Sequence, residues 1–215
     1  MTHRASPHAL TEAPDHGREH DACGVGFVAR ADGVDSHRVV ELALTALARV
    51  AHRGAASTDQ SGDGAGLLTR IPTRFFHREG YRLGLKLRQG EPFAVGMLFL
   101  PAEGAMLRRA VALTEEVLDA NHLPRLGWRD VPVDLGALGP TARASCPAIR
   151  QVFLGRPEGA GNDEAWERAL FLARRDLERR AAEEGLADYY VCSLSCRTIV
   201  YKALLTGPQL AAFYT

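Results

Sequence analysis

DACGVGFV, residues 21–28, separates an unpatterned leader from a body whose apolar residues are regularly spaced. The alternation after Cys23 predicts a first strand over Val25–Arg30. If the leader were removed, the Cys23 thiol would share its residue with a free α-amine, whose pKa of about 7.7–8.0 suits a base near neutral pH. Thr nucleophiles use their own N-terminal amine in this way. Cys23 is therefore a candidate nucleophile, and the alternative is an ordinary half-buried cysteine at a strand edge.

The composition is that of an ordinary globular domain, with 46% apolar and 24% charged residues among 215. Lys+Arg and Asp+Glu number 26 each, so no net charge indicates a nucleic acid or an acidic membrane as partner. The four cysteines are too few and too scattered for a disulfide scaffold, which predicts a reducing, cytoplasmic location. No apolar run reaches membrane-spanning length, and the leader lacks the apolar segment of a secretory signal.

Residues 1–22 contain four of the eight histidines, two prolines and few large apolar residues. This composition predicts a solvated leader without fixed structure. Metal binding by the histidines and removal as a propeptide are the alternatives, and the cysteine that follows favours the propeptide. We therefore divide the chain into a leader, 1–22, and one domain, 23–215.

Hydrophobic periodicity predicts further strands and helices in mixed order through the body. The strands are predicted over 65–70, 93–100, 126–132, 148–154, 189–194 and 197–205, and the helices over 37–51, 103–121 and 163–184. Residues 72–91 give no clear assignment beyond short helix and loop. The order contains no repeat and no G-x-G-x-x-G motif, which favours an α+β fold of layered sheets covered by helices over a dinucleotide-binding fold.

The run GDGAG, residues 62–66, leads directly into the predicted strand 65–70. Glycines at alternate positions permit a close backbone approach or a positive φ. A phosphate cradle is the alternative, but the spacing fits neither common phosphate-binding motif and no helix is predicted after it. A tight bend that brings Asp63 toward a neighbouring site is the better interpretation.

Cys192 and Cys196 could together bind a metal ion, but four residues of extended backbone would span about 13 Å. No second pair of ligands is present near them in the sequence.

The ordered motifs of the body resemble the start of the large subunit of the glutamate synthases, a class II (Ntn-type) glutamine amidotransferase domain. The resemblance runs from Asp21 to Tyr214. The motifs are DACGVGF (21–27), AHRGA (51–55), SGDGAGLLTRIP (61–72), LGWRDVPVD (126–134), LGPTARAS (138–145), IRQVFLGRP (149–157) and SLSCRTIVYKALLT (193–206). It implies a four-layer αββα Ntn-hydrolase fold, incomplete in this chain.

The resemblance also implies that the leader is removed through Ala22 and that Cys23 hydrolyses glutamine. The thiolate would attack the side-chain amide, release ammonia and leave a thioester that water hydrolyses, with the α-amine as base and then acid. Near-site support is implied at Arg53 and Gly54 of the HRGA loop and at Asp63 and Gly64. Arg53 would lie against the nucleophile or serve only as a loop ion-pair partner, and Asp63 would organise the site loop.

Two family motifs do not occur in this chain. One is R-F-S-T-N-T, whose arginine binds the α-carboxylate of glutamine, and the other is an Asn-Gly pair that forms the oxyanion hole. Loss of one oxyanion donor alone costs about 2.7–4 kcal/mol of transition-state stabilisation. Because the sequence stops at Thr215, about where the family continues toward both motifs, we expect the N-terminal part of a longer enzyme, inactive by itself. Smaller departures are Cys196 and Ala203, where serine and glycine are expected.

The resemblance implies no cofactor in this chain and FMN and an iron–sulfur cluster in the C-terminal regions of the full enzyme. The implied partners are L-glutamine, the synthase domains of the same chain, which would use the ammonia to make glutamate from 2-oxoglutarate, and a small electron-donating subunit, with no nucleic acid and no membrane. One alternative is another Ntn amidotransferase, such as an amidophosphoribosyltransferase or an asparagine synthetase, in which LGWRDVP is not expected. Another is a non-catalytic regulatory or assembly module, which would have no need of a processing site before Cys23.

Overall fold

The strands of the domain form two antiparallel sheets in this computed structural model, which describes residues 24–50, 58–59 and 61–215. The smaller sheet pairs β1 (Ala65–Arg70) with β6 (Thr198–Ala203). The larger sheet has the order β3-β4-β2-β5 and consists of β2 (Phe93–Leu100), β3 (Arg125–Asp130), β4 (Ala148–Gly155) and β5 (Tyr190–Ser195).

The helices lie between and beside these strands in the sequence. They are α1 (His37–Arg49), α2 (Thr73–Leu83), α3 (Gly104–Ala120), α4 (Pro140–Ala144), α5 (Asp163–Glu183) and α6 (Leu210–Phe213), with 3₁₀ turns at Leu135–Ala137 and Gly207–Gln209. Within the described ranges, every helix is too short or too polar to span a bilayer.

One face of the four-stranded sheet packs against α3 and α5. Alternate residues of β2, Ala94 and Leu98, lie in this core with Leu113 of α3 and Leu170 of α5, and all four are at most 1% exposed. The opposite face packs against the β1–β6 sheet, with Met97 of β2 in that second core. Because β2 is covered on both faces, its sequence is apolar at almost every position and does not alternate between apolar and polar residues.

The second core joins the two sheets to the shorter helices. Its large buried side chains include Phe76 of α2, Phe153 of β4 and Phe213 of α6. The rings of Phe76 and Phe153 meet edge to face with centroids 5.1 Å apart. This core covers the inner face of the β1–β6 sheet, whereas Leu68 on the other face of β1 is 63% exposed.

Most predicted elements are confirmed, and the mixed architecture with antiparallel sheets agrees with the α+β prediction. The predicted strand Val25–Arg30 is wrong: residues 24–30 join no strand in the described part of the chain, and Val25 and Phe27 are 95% and 94% exposed. A strand is stable only where its backbone groups pair with a neighbour, and periodicity alone does not supply one. Residues 72–91, which the sequence predicts only as short helix and loop, contain helix α2.

Candidate functional site

The residues predicted to form the site divide into two sets. Cys23, Arg53 and Gly54 lie outside the described residues, as does the leader. Asp63 and Gly64 lie inside them, in the loop that leads into β1.

The GDGAG loop has the backbone geometry that its glycines predict. A Cβ atom on Gly62 would lie 2.2 Å from the carbonyl carbon of Leu205, so only glycine fits this contact. Gly64 has φ +136°, a conformation that other residues rarely adopt. A strand rather than a helix follows the loop, so its backbone N–H groups lack the helix N-terminus that a phosphate cradle uses.

Asp63 and Gly64 line an open groove of about 670 Å³ that is bounded by β1 and β6 and by Phe99 of β2 and Tyr190 of β5. Apolar side chains supply most of its surface. The remaining lining residues are Ala65, Gly66, Leu67, Leu68, Phe99, Tyr190, Val200, Lys202, Ala203 and Leu204. The groove therefore offers an apolar surface together with one carboxylate and one ammonium group.

Lys202 is held in place within this groove by Tyr190. Its ammonium group donates to the Tyr190 hydroxyl over 2.6 Å and lies 4.3 Å from the centroid of the same ring. On β1, Gly66 lies opposite Lys202, and a Cβ atom on Gly66 would come within 2.8 Å of the Lys202 Cβ. The glycine thus leaves room for the lysine stem across the strand pair.

The turn between β5 and β6 is fixed by a carboxylate on α5. Glu167 accepts hydrogen bonds from the Ser195 hydroxyl at 2.8 Å and from the Cys196 backbone N–H at 2.6 Å. The Ser195 hydroxyl oxygen in turn accepts from the backbone N–H groups of Arg197 and Thr198. This network positions β6, and with it Lys202, relative to the helical layer.

A second fixed contact lies just before the GDGAG loop, and sequence reasoning missed it. Asp59 accepts from the Ser61 backbone N–H at 3.0 Å, from the Ser61 hydroxyl at 2.9 Å and from the Thr141 backbone N–H at 3.0 Å. The Ser61 hydroxyl oxygen accepts from the Ala142 N–H at 3.2 Å. The Asp-x-Ser pattern is typical of a turn, but its partner at the start of α4 is 82 residues away.

The three described cysteines have the properties of structural thiols. Burial raises the pKa of the Cys192 thiol to about 11, and burial followed by the Glu167 carboxylate raises that of Cys196 to about 12. Burial also raises the pKa of Cys146. Since the thiolate is the nucleophilic form, these side chains are poor nucleophiles near neutral pH.

Cys192 and Cys196 cannot share a metal ion in this arrangement. Cys192 lies in the core between the two sheets, whereas Cys196 packs against the core between the sheet and the helices. Among the described residues, no group of three or more His, Cys, Asp or Glu side chains could hold a metal ion.

A family model of class-II glutamine amidotransferases matches residues 23–215. The chain is 44% identical over 197 residues to ferredoxin-dependent glutamate synthase 2 of Synechocystis sp., covering 91% of this chain and 12% of that protein. It is 39% identical over 198 residues to the glutamate synthase [NADPH] large chain of Bacillus subtilis, covering 92% and 13%. It is 38% identical over 217 residues to the glutamate synthase [NADPH] large chain of Azospirillum brasilense, covering 98% of this chain and 14% of that protein. The chain thus spans about an eighth of the length of these relatives.

Proposed function

The chain belongs to the class II glutamine amidotransferases, and we propose that it hydrolyses the side-chain amide of L-glutamine with Cys23 as nucleophile. The observation that supports this most directly is the family match over residues 23–215, which begins at the cysteine of the DACGVGF motif. The removal of residues 1–22 would give Cys23 the free α-amine that the reaction needs.

The proposed reaction proceeds through a thioester. The α-amine of Cys23 takes the proton of its own thiol, and the thiolate attacks the amide carbon of the glutamine side chain. The C–N bond breaks, the protonated amine gives its proton to the leaving nitrogen, and ammonia departs. Water then attacks the thioester with the amine as base, and the C–S bond breaks to release glutamate and the thiol.

Near-site roles are proposed for four residues, Arg53 and Gly54 in the HRGA loop and Asp63 and Gly64 in the GDGAG loop. The close packing of Gly62 and the positive φ of Gly64 support the view that the second loop has one defined conformation. A loop fixed in this way can hold Asp63 at a constant position relative to the strand that follows. Asp63 is therefore proposed to organise the site rather than to react.

For the whole protein we propose the glutamate synthase reaction, in which ammonia from glutamine and 2-oxoglutarate give glutamate with two electrons from a donor. The relatives named above are glutamate synthases, and each is much longer than this chain. FMN and an iron–sulfur cluster would supply the electron transfer. The described residues do not fit such a cluster, since their cysteines are scattered and no metal-binding group is present among them.

A four-layer αββα arrangement is proposed for the complete domain. Three layers are supported by the packing of α3 and α5 on the larger sheet and of that sheet on the β1–β6 pair. Helix α1 contacts β1 and the turn at 207–209, which makes it the candidate for the fourth layer.

The test uses the native protein with all the sequence that its gene encodes. Purified protein is incubated with L-glutamine, and ammonia and glutamate are measured together with the mass of the N-terminal peptide. We expect equal amounts of both products, a chain that begins at Cys23, and loss of activity in Cys23→Ser. Cys146→Ser is the matched control and should keep the activity. Full activity in Cys23→Ser would overturn the proposal.

A further inference from the structure

We propose that Asp59 is a positioning residue for glutamine hydrolysis, because it fastens the loop before β1 to the start of α4. The inference rests on the function proposed above. Asp59 lies in the sequence between the HRGA loop and the GDGAG loop, six residues after Arg53 and four before Asp63. The hydrogen bonds of Asp59 therefore restrict the described part of the loop that continues to Asp63.

The carboxylate of Asp59 bonds two parts of the chain at once. One oxygen accepts from the Ser61 N–H, and the other accepts from the Ser61 hydroxyl and from the Thr141 N–H. The Thr141 and Ala142 N–H groups are in the first turn of α4, where no carbonyl within the helix can accept from them. Asp59 and Ser61 thus supply caps that α4 lacks locally, since Gly139 at its N-cap position has no side chain.

The backbones also meet so closely that position 139 has no room for a side chain. A Cβ atom on Gly139 would lie 2.5 Å from the backbone nitrogen of Ser61 and 2.6 Å from the backbone carbonyl oxygen of Asp59. On the other side of the loop, Gly62 packs against Leu205 in the same way. Asp59, Ser61 and Gly62 are therefore held between the start of α4 and the chain after β6.

α4 is itself anchored in the inter-sheet core through Ala142, which is 4% exposed. The clasp formed by Asp59 and Ser61 consequently links the loop to a helix that is packed into the core between the two sheets. Nucleophilic attack is sensitive to the position of the reacting groups, because a shift of about 1 Å can lower the rate about a hundredfold. Loss of the clasp should therefore affect the chemical step more than global stability.

The experiment compares three variants of the native full-length protein. Asp59→Asn replaces one accepting oxygen by an NH2 group, which faces the Thr141 N–H in one orientation of the amide and the Ser61 N–H in the other. Ser61→Ala removes the bond from Ala142 and the hydroxyl bond to Asp59 but keeps the Asp59 carboxylate. Asp134→Asn is the matched control, since Asp134 caps the short 3₁₀ turn at Leu135–Ala137 by accepting from the Gly136 N–H at 2.8 Å.

Three quantities are measured for each variant: kcat and KM for glutamine hydrolysis, the melting temperature, and amide hydrogen exchange in peptides covering 139–145. Asp59→Asn should lower kcat about tenfold or more with a much smaller change in KM, and speed the exchange of Thr141 and Ala142. Ser61→Ala should show a smaller loss of kcat. Asp134→Asn should match the wild type in kcat.

The outcomes separate this inference from the function on which it rests. If the wild type releases no ammonia from glutamine, the proposed function fails, and the positioning role fails with it. If the wild type is active and Asp59→Asn keeps its kcat, only the positioning role is overturned. Equal falls in kcat for Asp59→Asn and Asp134→Asn would also overturn it, since a general effect of replacing a hydrogen-bonded carboxylate by an amide would then explain both.

Discussion

The Arg129 guanidinium on β3 donates to the side-chain Oε1 atom of Gln151 on β4 over 3.1 Å, inside the core between the two sheets. Arg129 is 6% exposed and Gln151 is fully buried. A second nitrogen of Arg129 lies 3.4 Å from the carboxylate of Glu79 on α2, and the ring of Phe75 lies under the guanidinium at 5.4 Å. One buried cation thus joins α2 to the larger sheet.

Arg129→Ala is expected to lower the free energy of unfolding by about 1–3 kcal/mol, the usual cost of leaving a buried polar group unpaired. The matched control is Arg150→Ala on β4, where the arginine pairs with Asp130, a side chain that is 78% exposed. Such a surface pair contributes at most about 1 kcal/mol. Urea unfolding of both variants measures the difference, and equal losses would contradict the proposed role of the buried cation.

Gly62→Ala is expected to destabilise the protein by about 1–3 kcal/mol, because an added methyl group would overlap the Leu205 backbone at 2.2 Å. Gly155→Ala is the control: its Cβ would lie 3.5 Å from Leu126, an ordinary contact, and should change stability by about 0.5 kcal/mol or less. Thermal unfolding of the two variants tests this. A Gly62→Ala protein as stable as Gly155→Ala would show that the contact with Leu205 is not tight.

The sequence predicts well those elements whose signals are local. Helix α5 was predicted over 163–184 and ends one residue earlier, because its cap Asn162 and its stop at Gly185 are both adjacent to it. β2 was predicted with its observed bounds, since an apolar run closed by Pro101 leaves little choice. The glycines of the GDGAG loop likewise predict a close backbone approach and a positive φ, because both features depend on the glycines themselves.

The sequence predicts poorly those features whose partners are far along the chain. α4 has only five residues, and its caps come from Asp59 and Ser61, so Pro140 at its first position is too weak a local signal to predict it. The segment 25–30 has a strand pattern, but a pattern does not provide the neighbour with which a strand must pair. In the site, the loop conformation was predictable, whereas its attachment to Thr141 was not.

An ion-pair network between α3 and α5 should make the protein sensitive to acid. Arg109 binds both Glu116 and Glu184 at 2.6 Å, and these hydrogen bonds hold the pKa of each carboxyl below its ordinary value of 4.5. A carboxyl whose pKa is lower in the folded state adds stability above pH 4.5, and that stability is lost as the pH falls through the folded-state pKa.

The melting temperature of Glu116→Gln should therefore fall less than that of the wild type when the pH is lowered from 7 to about 3. The control is Glu158→Gln, which also removes one carboxylate, at a position where the described residues show no ion pair. Its melting temperature should fall with pH as steeply as that of the wild type. Equal slopes for both variants and the wild type would mean that the network does not couple stability to pH.

Cysteine labelling should distinguish Cys23 from the buried thiols. A thiol with a pKa of about 11, as burial gives Cys192, is ionised to about one part in a thousand at pH 8, whereas an ordinary thiol is ionised to about a quarter. Cys192 is also only 6% exposed, so the reagent cannot reach it in the folded protein. We expect iodoacetamide to modify Cys23 first at pH 8, with Cys192 and Cys196 protected until denaturant is added. Peptide mass spectrometry over time measures this order, Cys23→Ser removes the fast phase, and rapid labelling of Cys192 in the folded protein would contradict its placement in the core between the sheets.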